Sequence, residues 1–396
     1  MITKYFNKFF GTSIGLGAKE KSIASQKSYS SITFDSGLFR SSCSSPSAEY
    51  CNNVIVYKCV NIISQAASHI PWVIYDATSG RNKKMIDHPL YKILKKPNPL
   101  QAGAEFFTEL IASKLLYGNS YIAGLGEKKI NSLYLLHPTK VQIKYENGIL
   151  SHYIYANNNK SIKFEVKGNK SASQILHIRS FNPSDDMRGV SCLEAARKSI
   201  DIHNATSEWN ANLLRNGARP TGAIIMRDSS QYLSEDQFLR LKDQLYEKFA
   251  GTSNAGKPLL LEGGLDWRDM SINPKDMDFI ESKNSAAREI ALAFGLPPQL
   301  LGITGDNTYS NMQEARLALW EETVIPLLDR LADSMSSWFS DLYERELLID
   351  FDRDFISAIS DKRQNLWEKL NKADFMTLNE KRAIVGLPPL TNGDQI

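Results

Sequence analysis

Cysteine is scarce: four residues in 396, at Cys43, Cys51, Cys59 and Cys192, with no Cys-x-x-Cys pair among them. A chain this long buries enough surface to do without staples, so the scarcity excludes a disulfide-built scaffold and points to reduced thiols. Histidine is equally thin at six residues, none in His-Glu-x-x-His spacing, and no metal site is expected. No run approaches the roughly 18 consecutive apolar residues of a membrane span. An excess of one charge is missing too. Lys and Arg exceed Asp and Glu by 47 to 44, and the first fifty residues hold six of the cations against three of the acids, which leaves 41 against 41 beyond them. The totals carry no basic footprint of a tight nucleic-acid binder.

What is present is an ordinary soluble composition, 42% hydrophobic and 23% charged. Residues 1–50 have Lys8 inside their one apolar patch and then turn serine-rich, ending in SSCSSPS. That reads as a disordered arm rather than a secretory signal or transit peptide. Order is expected to begin near Asn53, with Val56, Val60, Ile63 and Ala67 at helical spacing until Pro71. WVIYD follows as a strand, and HPLYKILKK as a short helix with Pro89 in its first turn.

Phe107, Leu110, Ile111 and Leu115 then share one helix face that Gly118 ends. From Tyr121 to Ser180 the period becomes that of strands, with VQIKYE and ILSHYIYA flanking the hairpin signal Asn147-Gly148. Ser191 with Glu194 makes a capping box for a helix running to Asn216-Gly217. Its length is roughly 38 Å at 1.5 Å per residue. An insert follows, built on the helix SEDQFLRLKDQLYEKF, which Ser234 and Gln237 cap, and on strands around PLLLEGG and LDWRDMSI. A second helix spans about Ser282 to Phe294. Ser310 with Gln313 opens another, which Pro326 is expected to bend near residue 322. The strand LLIDFDRD, the helix DKRQNLWEKLNK and a small capped helix in TLNEKRAIVG close the chain.

Four motifs invite chemistry. GTSNAGKP, Gly251 to Pro258, matches most of a phosphate-cradling loop, but such a loop follows a strand and opens a helix, with a hydroxyl after its Lys. Here a helix precedes it, and Pro258 offers neither hydroxyl nor N–H. It reads as a turn, and a nucleotide hydrolase using Lys257 stays as the alternative. Asp350, Asp352 and Asp354 resemble the start of a calcium loop, yet Phe355 stands where that loop needs Gly. Ile349, Phe351 and Phe355 read instead as one buried strand face. His137 and His177 have no partner at informative spacing and read as structural. Trp209, Trp267, Trp320, Trp338 and Trp367 fall among Leu and Phe and read as core rather than as base-stacking platforms.

Read in order, VYKCVNIISQAASHIPWVIYD, HPLYKILKKPNP, LLYGNSYIAG, ILHIRSF, GVSCLEAA, NLLRNGARPTGAI, GTSNAGKPLLLEGG, AREIALAFGLPPQLLG, TYSNMQEA, VIPLLDRL, TLNEKRAIVGLPPL and LTNGDQI resemble the portal proteins of tailed bacteriophages, the head-to-tail connectors of the siphophage type. Coverage runs from about Asn53 to the C-terminus. The resemblance implies an α+β portal fold: a wing over residues 51–190, a first stem helix over 191–216, a clip over 217–280, and a second stem helix with its connection over 281–302. It further implies a tunnel loop, kinked helix and returning wing strand over 303–358, and a short helical crown over 359–396.

The resemblance also implies a ring of about twelve copies at one capsid vertex, through which double-stranded DNA passes without sequence readout. Terminase large subunit, major capsid protein or scaffold, and a head-tail adaptor are the implied partners. The implied location is the virion, after assembly in the cytoplasm of a bacterial host. Neither catalysis nor a cofactor is implied. The tunnel loop facing DNA falls on Gly305, Asp306, Asn307, Thr308, Tyr309, Ser310 and Asn311. Near-neutral charge suits a conduit, since every lumen cation would be repeated by each copy and would grip the phosphates. The rivals are the hydrolase above and a monomeric DNA-binding protein. The ring also needs a heterologous face, for which the long helices and the rod kinked at Pro326 are the expected sources, with Trp320 as a residue that tests the rod.

Overall fold

The computed structural model describes residues 45–77, 84–126, 130–146, 149–157, 160–166, 173–215, 222–226, 234–249, 265–269, 278–303, 309–385, 387 and 389–394. Helix begins earlier than expected. α1 covers Pro46–Asn52, because Ser45 accepts from the Ala48 N–H and Pro46 fills the first helical position. Asn53 then caps α2, Val54–Ser68, by accepting from the N–H groups of Ile55 and Val56. Val56, Cys59, Val60, Ile63 and Ala67 form its buried face.

β1 (Trp72–Asp76), α3 (Pro89–Lys95) and α4 (Gly103–Tyr117) follow, and Gly118 ends α4 at φ 70°, in the left-handed region that suits glycine. Strands β2 (Asn119–Leu125), β3 (Ser132–Leu136) and β7 (Ile175–Arg179) make an antiparallel sheet in the order β3-β2-β7. β4 (Val141–Glu146), β5 (Ile149–Asn157) and β6 (Lys160–Glu165) make a second. The expected hairpin pairs β4 with β5, while its turn, Asn147-Gly148, lies outside the described residues.

All seven residues of β2 are buried. Ile122 joins the large core built on α2, α4 and the later helices, whereas Tyr121, Ala123 and Leu125 join a second core with Val141, Tyr153, Tyr155 and Phe164 from the other sheet. The alternation of strand side chains thus serves two cores with one strand. Each large buried aromatic or aliphatic side chain there contributes about 1.5–3 kcal/mol relative to exposure.

The chain continues through α5 (Cys192–Arg215), β8 (Gly222–Met226), α6 (Glu235–Phe249), β9 (Leu265–Asp269) and α7 (Phe279–Ala293), with β8 and β9 paired antiparallel. Ser191 departs from the expected box: its hydroxyl accepts from Leu193 N–H and lies 2.7 Å from the carbonyl of Leu116, so it joins the end of α4 to the start of α5. The boxes at Ser234 with Gln237 and at Thr377 with Glu380 both form.

α8 (Tyr309–Ala318) begins one residue before Ser310, which therefore stands inside the helix and not at its cap. It runs without a break into a π-helical segment, Leu319–Val324, and α9, Ile325–Tyr343. Pro326 has no N–H to give, and the chain meets that defect just upstream with a wide turn in which Ile325 N–H reaches the Trp320 carbonyl. Trp320 is half-buried and packs against the molecule's own core.

β10 (Leu347–Phe351) returns to pair with β1, Trp72 opposite Phe351. On the other side of β10, Ser340 and Ser336 of α9 exchange hydrogen bonds with the backbone of Leu347 and Ile349 at 2.8–3.2 Å. Four residues of helix rise about 6 Å and two of strand about 6.7 Å, so two serines one turn apart meet alternate strand residues. They meet backbone groups that an edge strand otherwise leaves open. Phe355 is a correction: it sits in a short turn after the strand and is 59% exposed, outside the expected buried face. α10 (Ser360–Asn371) and α11 (Leu378–Ile384) close the chain.

Candidate functional site

α5 and α7 pack antiparallel. The Ser199 hydroxyl lies 2.5 Å from the Glu289 carboxylate, and Trp209 stacks on Phe279 with centroids 4.3 Å apart. Ten residues forward along α5 thus correspond to ten backward along α7, about 15 Å of paired rod. Leu193, Ala196 and Ile200 bury beside Ala287, Ile290 and Ala291 in the large core. The alanines among them, Ala196, Ala287 and Ala291, let the two helices pack closely. Asn53 reaches in from α2, 3.3 Å from His203 and 2.8 Å from Asn204, and fixes the pair to the N-terminal helices.

Charge on the pair is balanced. α5 holds Arg197, Lys198 and Arg215 against Glu194, Asp201 and Glu208, and α7 holds Lys283 and Arg288 against Glu281 and Glu289. Three minus three and two minus two both give zero, so neither helix carries a net positive charge toward phosphates.

Beyond α7 the chain turns at Gly295 and Gly302, both left-handed, around a short helical turn, Pro298–Leu301. The Lys58 ammonium donates to the Leu301 carbonyl at 2.6 Å, and Thr323 in the π-helical segment donates to the Gly295 carbonyl. Both bonds hold the approach to residues 304–308. Of the seven residues read as a tunnel loop, Gly305, Asp306, Asn307 and Thr308 lie outside the described residues, while Tyr309, Ser310 and Asn311 open α8, with Asn311 exposed. GTSNAGKP also lies outside them; α6 ends at Phe249, directly before it.

A cavity of about 480 Å³ lies between α4, the end of α7 and the rod near Pro326, lined by Leu110, Lys114, Phe294, Pro326 and Arg330 among others. Burial lowers the Lys114 pKa, and its ammonium donates to Ser180. The cavity brings cations to an apolar wall without a nucleophile and base aimed at a common point.

The histidines behave as packing groups. His177 stacks on Tyr121 at 4.3 Å, its Nε2 lies 3.0 Å from Asn119 Oδ1, and burial with nearby Arg179 and Arg188 lowers its pKa to about 4. Burial pushes the Tyr153 hydroxyl beside it up to about 12. His137 meets Tyr117 and Thr139. Burial raises the Cys59 thiol to about 12, that of an inert core cysteine. Among the described residues no group of three or more His, Cys, Asp or Glu stands where it could hold a metal ion, and no helix is long and apolar enough to cross a membrane. Asp352 caps the turn at Asp354, and Arg353 pairs with Asp329. Of the tryptophans, most of which were expected in the core, Trp338 is core and Trp320 partly so, but Trp209 is 36% and Trp367 50% exposed; the Trp267 side chain lies outside what is described.

Long balanced helices, two sheets that meet in a shared core, and hydroxyls and histidines engaged in packing are what the described residues present. The model of the phage portal protein family matches residues 54–386. The chain belongs to that family, one of structural connectors with the portal fold. A Rickettsia felis protein of uncharacterised role is 57% identical over 347 residues, 88% of this chain and 90% of its own length. The portal protein of Enterobacteria phage HK97 is 24% identical, over 86% and 80%. A solved structure described as the neck of a native gene transfer agent particle, computed with C12 symmetry, matches with a TM-score of 0.65 at 36% identity, over 86% of this chain and 92% of that one.

Sequence reasoning missed the bonds that tie the helix pair and its exit to the body, those of Asn53, Lys58 and Thr323. Only Asn53 left a signal, as a cap residue before an apolar helix.

Proposed function

We propose that copies of this chain close into a ring of about twelve at one vertex of a capsid or gene-transfer particle, and that double-stranded DNA passes through it during packaging and ejection. The observation that carries the reading is the zero net charge on each of α5 and α7, the two helices taken as the stem. A neutral wall lets a polyanion slide where stacked cation rings would hold it, with an affinity steeply dependent on salt. The twelvefold neck in which a 36% identical chain is found supports the ring.

In this reading residues 51–190 with β10 are the wing, 217–280 the clip that meets terminase and later the head-tail adaptor, and 359–396 the crown. Capsid or scaffold protein surrounds the ring. The loop from Gly305 to Asn311 faces DNA, on a departure set by the Lys58 and Thr323 bonds. Deleting Gly305 to Tyr309 should leave rings intact by electron microscopy and reduce the DNA packaged or retained per particle. Unchanged titre and DNA content after that deletion would overturn the loop's role.

A further inference from the structure

The chain enters the described structure at Ser45, and its direction there is fixed. Ser45 stands before Pro46 and is extended, φ −62° and ψ 150°, the conformation that a following proline favours. Its hydroxyl also accepts from the Ala48 N–H, so the preceding residues leave from one place. That place is the edge of a cavity of about 380 Å³, which Ser45 and Pro46 help to line.

The cavity has an apolar part and a charged part. Leu116 at the end of α4, with Leu193 and Ile200 of α5, gives the first. Glu49 of α1 and Glu194, Arg197 and Asp201 of α5 give the second: three carboxylates minus one guanidinium leave two negative charges. Its wall is built before anything enters. Asn119 donates to the Gly189 carbonyl at 3.1 Å and accepts from the Gly189 N–H at 2.8 Å. Gly189 packs so closely on Gly118 that a Cβ there would lie 2.1 Å from the Gly118 carbonyl oxygen. A preformed wall of this kind costs little to occupy.

The residues just before Ser45 match it in chemistry. Going back along the chain, Ser44, Cys43, Ser42 and Ser41 are small, and Arg40, Phe39 and Leu38 are the first large side chains. Arg40 is the one charged residue between Asp35 and Glu49. The step from Phe39 to Ser45 reaches up to about 20 Å at 3.3–3.6 Å per residue, and Glu194 to Asp201 spans about 10 Å of α5. A cation beside two apolar side chains, tethered at the rim, is complementary in charge and in polarity to an acidic cavity with an apolar wall.

We propose that Leu38, Phe39 and Arg40 occupy this cavity in their own chain, the apolar pair against Leu116, Leu193 and Ile200 and the guanidinium among Glu49, Glu194 and Asp201. The N-terminal segment then straps α1 to the junction of α4 and α5. This contact holds whether or not copies join into a ring.

Limited trypsin digestion of the full chain, followed by mass spectrometry, tests it. Lys27 and Arg40 are both followed by serine, so cleavage after Lys27 is the internal standard. Cleavage after Arg40 should be slower by at least about tenfold, since a protease acts on the released form. Leu38→Ser with Phe39→Ser should abolish that protection, and Glu194→Gln with Asp201→Asn should weaken it several-fold, each with an unaltered circular dichroism spectrum. A benzophenone amino acid replacing Phe39 should crosslink on illumination to the end of α4 or the start of α5 of the same chain. Equal cleavage after Lys27 and Arg40 in the unaltered chain, protection that survives both double substitutions, or crosslinks to another copy or another part of the fold would overturn the proposal.

Discussion

Strand β2 and helix α5 differ in how much of their surface the chain itself covers. β2 buries all seven residues, with one core on each face, inside its own chain. α5 buries one seam against the body, with Trp209 stacked on Phe279 at its end, and leaves Ala195, Lys198, Ile202 and Ala205 exposed. A region covered on both sides should report changes as lost stability, and an exposed helix face should report them weakly.

The comparison is tested first where the largest loss is expected. Phe339 is fully buried in the core behind β10, and Phe339→Ala should cost about 3–5 kcal/mol in denaturant unfolding. A loss under 1 kcal/mol would mean that this core is not the chain's own foundation. The pH arm comes next. His177 is held near pKa 4 against an ordinary 6.5. A base kept neutral by the fold binds its proton more readily when unfolded. Its contribution is therefore present above pH 6.5 and falls as pH drops toward 4, by up to about 3 kcal/mol. The difference between the unaltered chain and His177→Gln, followed by thermal melts across that window, should narrow steadily with acidification.

Smaller effects sharpen the contrast. Ser336→Ala with Ser340→Ala leaves the backbone of Leu347 and Ile349 without its helix partners and should cost about 1–3 kcal/mol per site, read by urea titration. Thr377→Ala removes one capping hydroxyl and should cost about 1 kcal/mol. Ala205→Glu, on the exposed side of α5, should change the stability of the chain by no more than about 0.5 kcal/mol in the same titration. A large loss of stability in that variant would erase the distinction between the two regions.

Much of this division was legible in the sequence. Periodicity at Val56, Val60, Ile63 and Ala67, the glycine after α4 and the polar caps at Ser234 and Thr377 are local signals, and each element they announce is present. The long helix now seen as Cys192–Arg215 was legible from its start and stop residues. What was hidden depends on distant partners. Ser191 has a cap's identity, but its hydroxyl also turns toward the carbonyl of Leu116, 75 positions away. Pro326 signalled a bend, while the surrounding core and the Thr323 bond admit a wide turn in a continuous rod. Phe355 alternates with Ile349 and Phe351, yet the strand ends at Phe351 and the period no longer governs where its ring goes.

Electron microscopy of the purified full chain tests the central claim most directly. The account predicts closed rings of many copies around an open channel wide enough for duplex DNA. Only single molecules or small irregular clusters, at every protein concentration and in assembled particles alike, would contradict it.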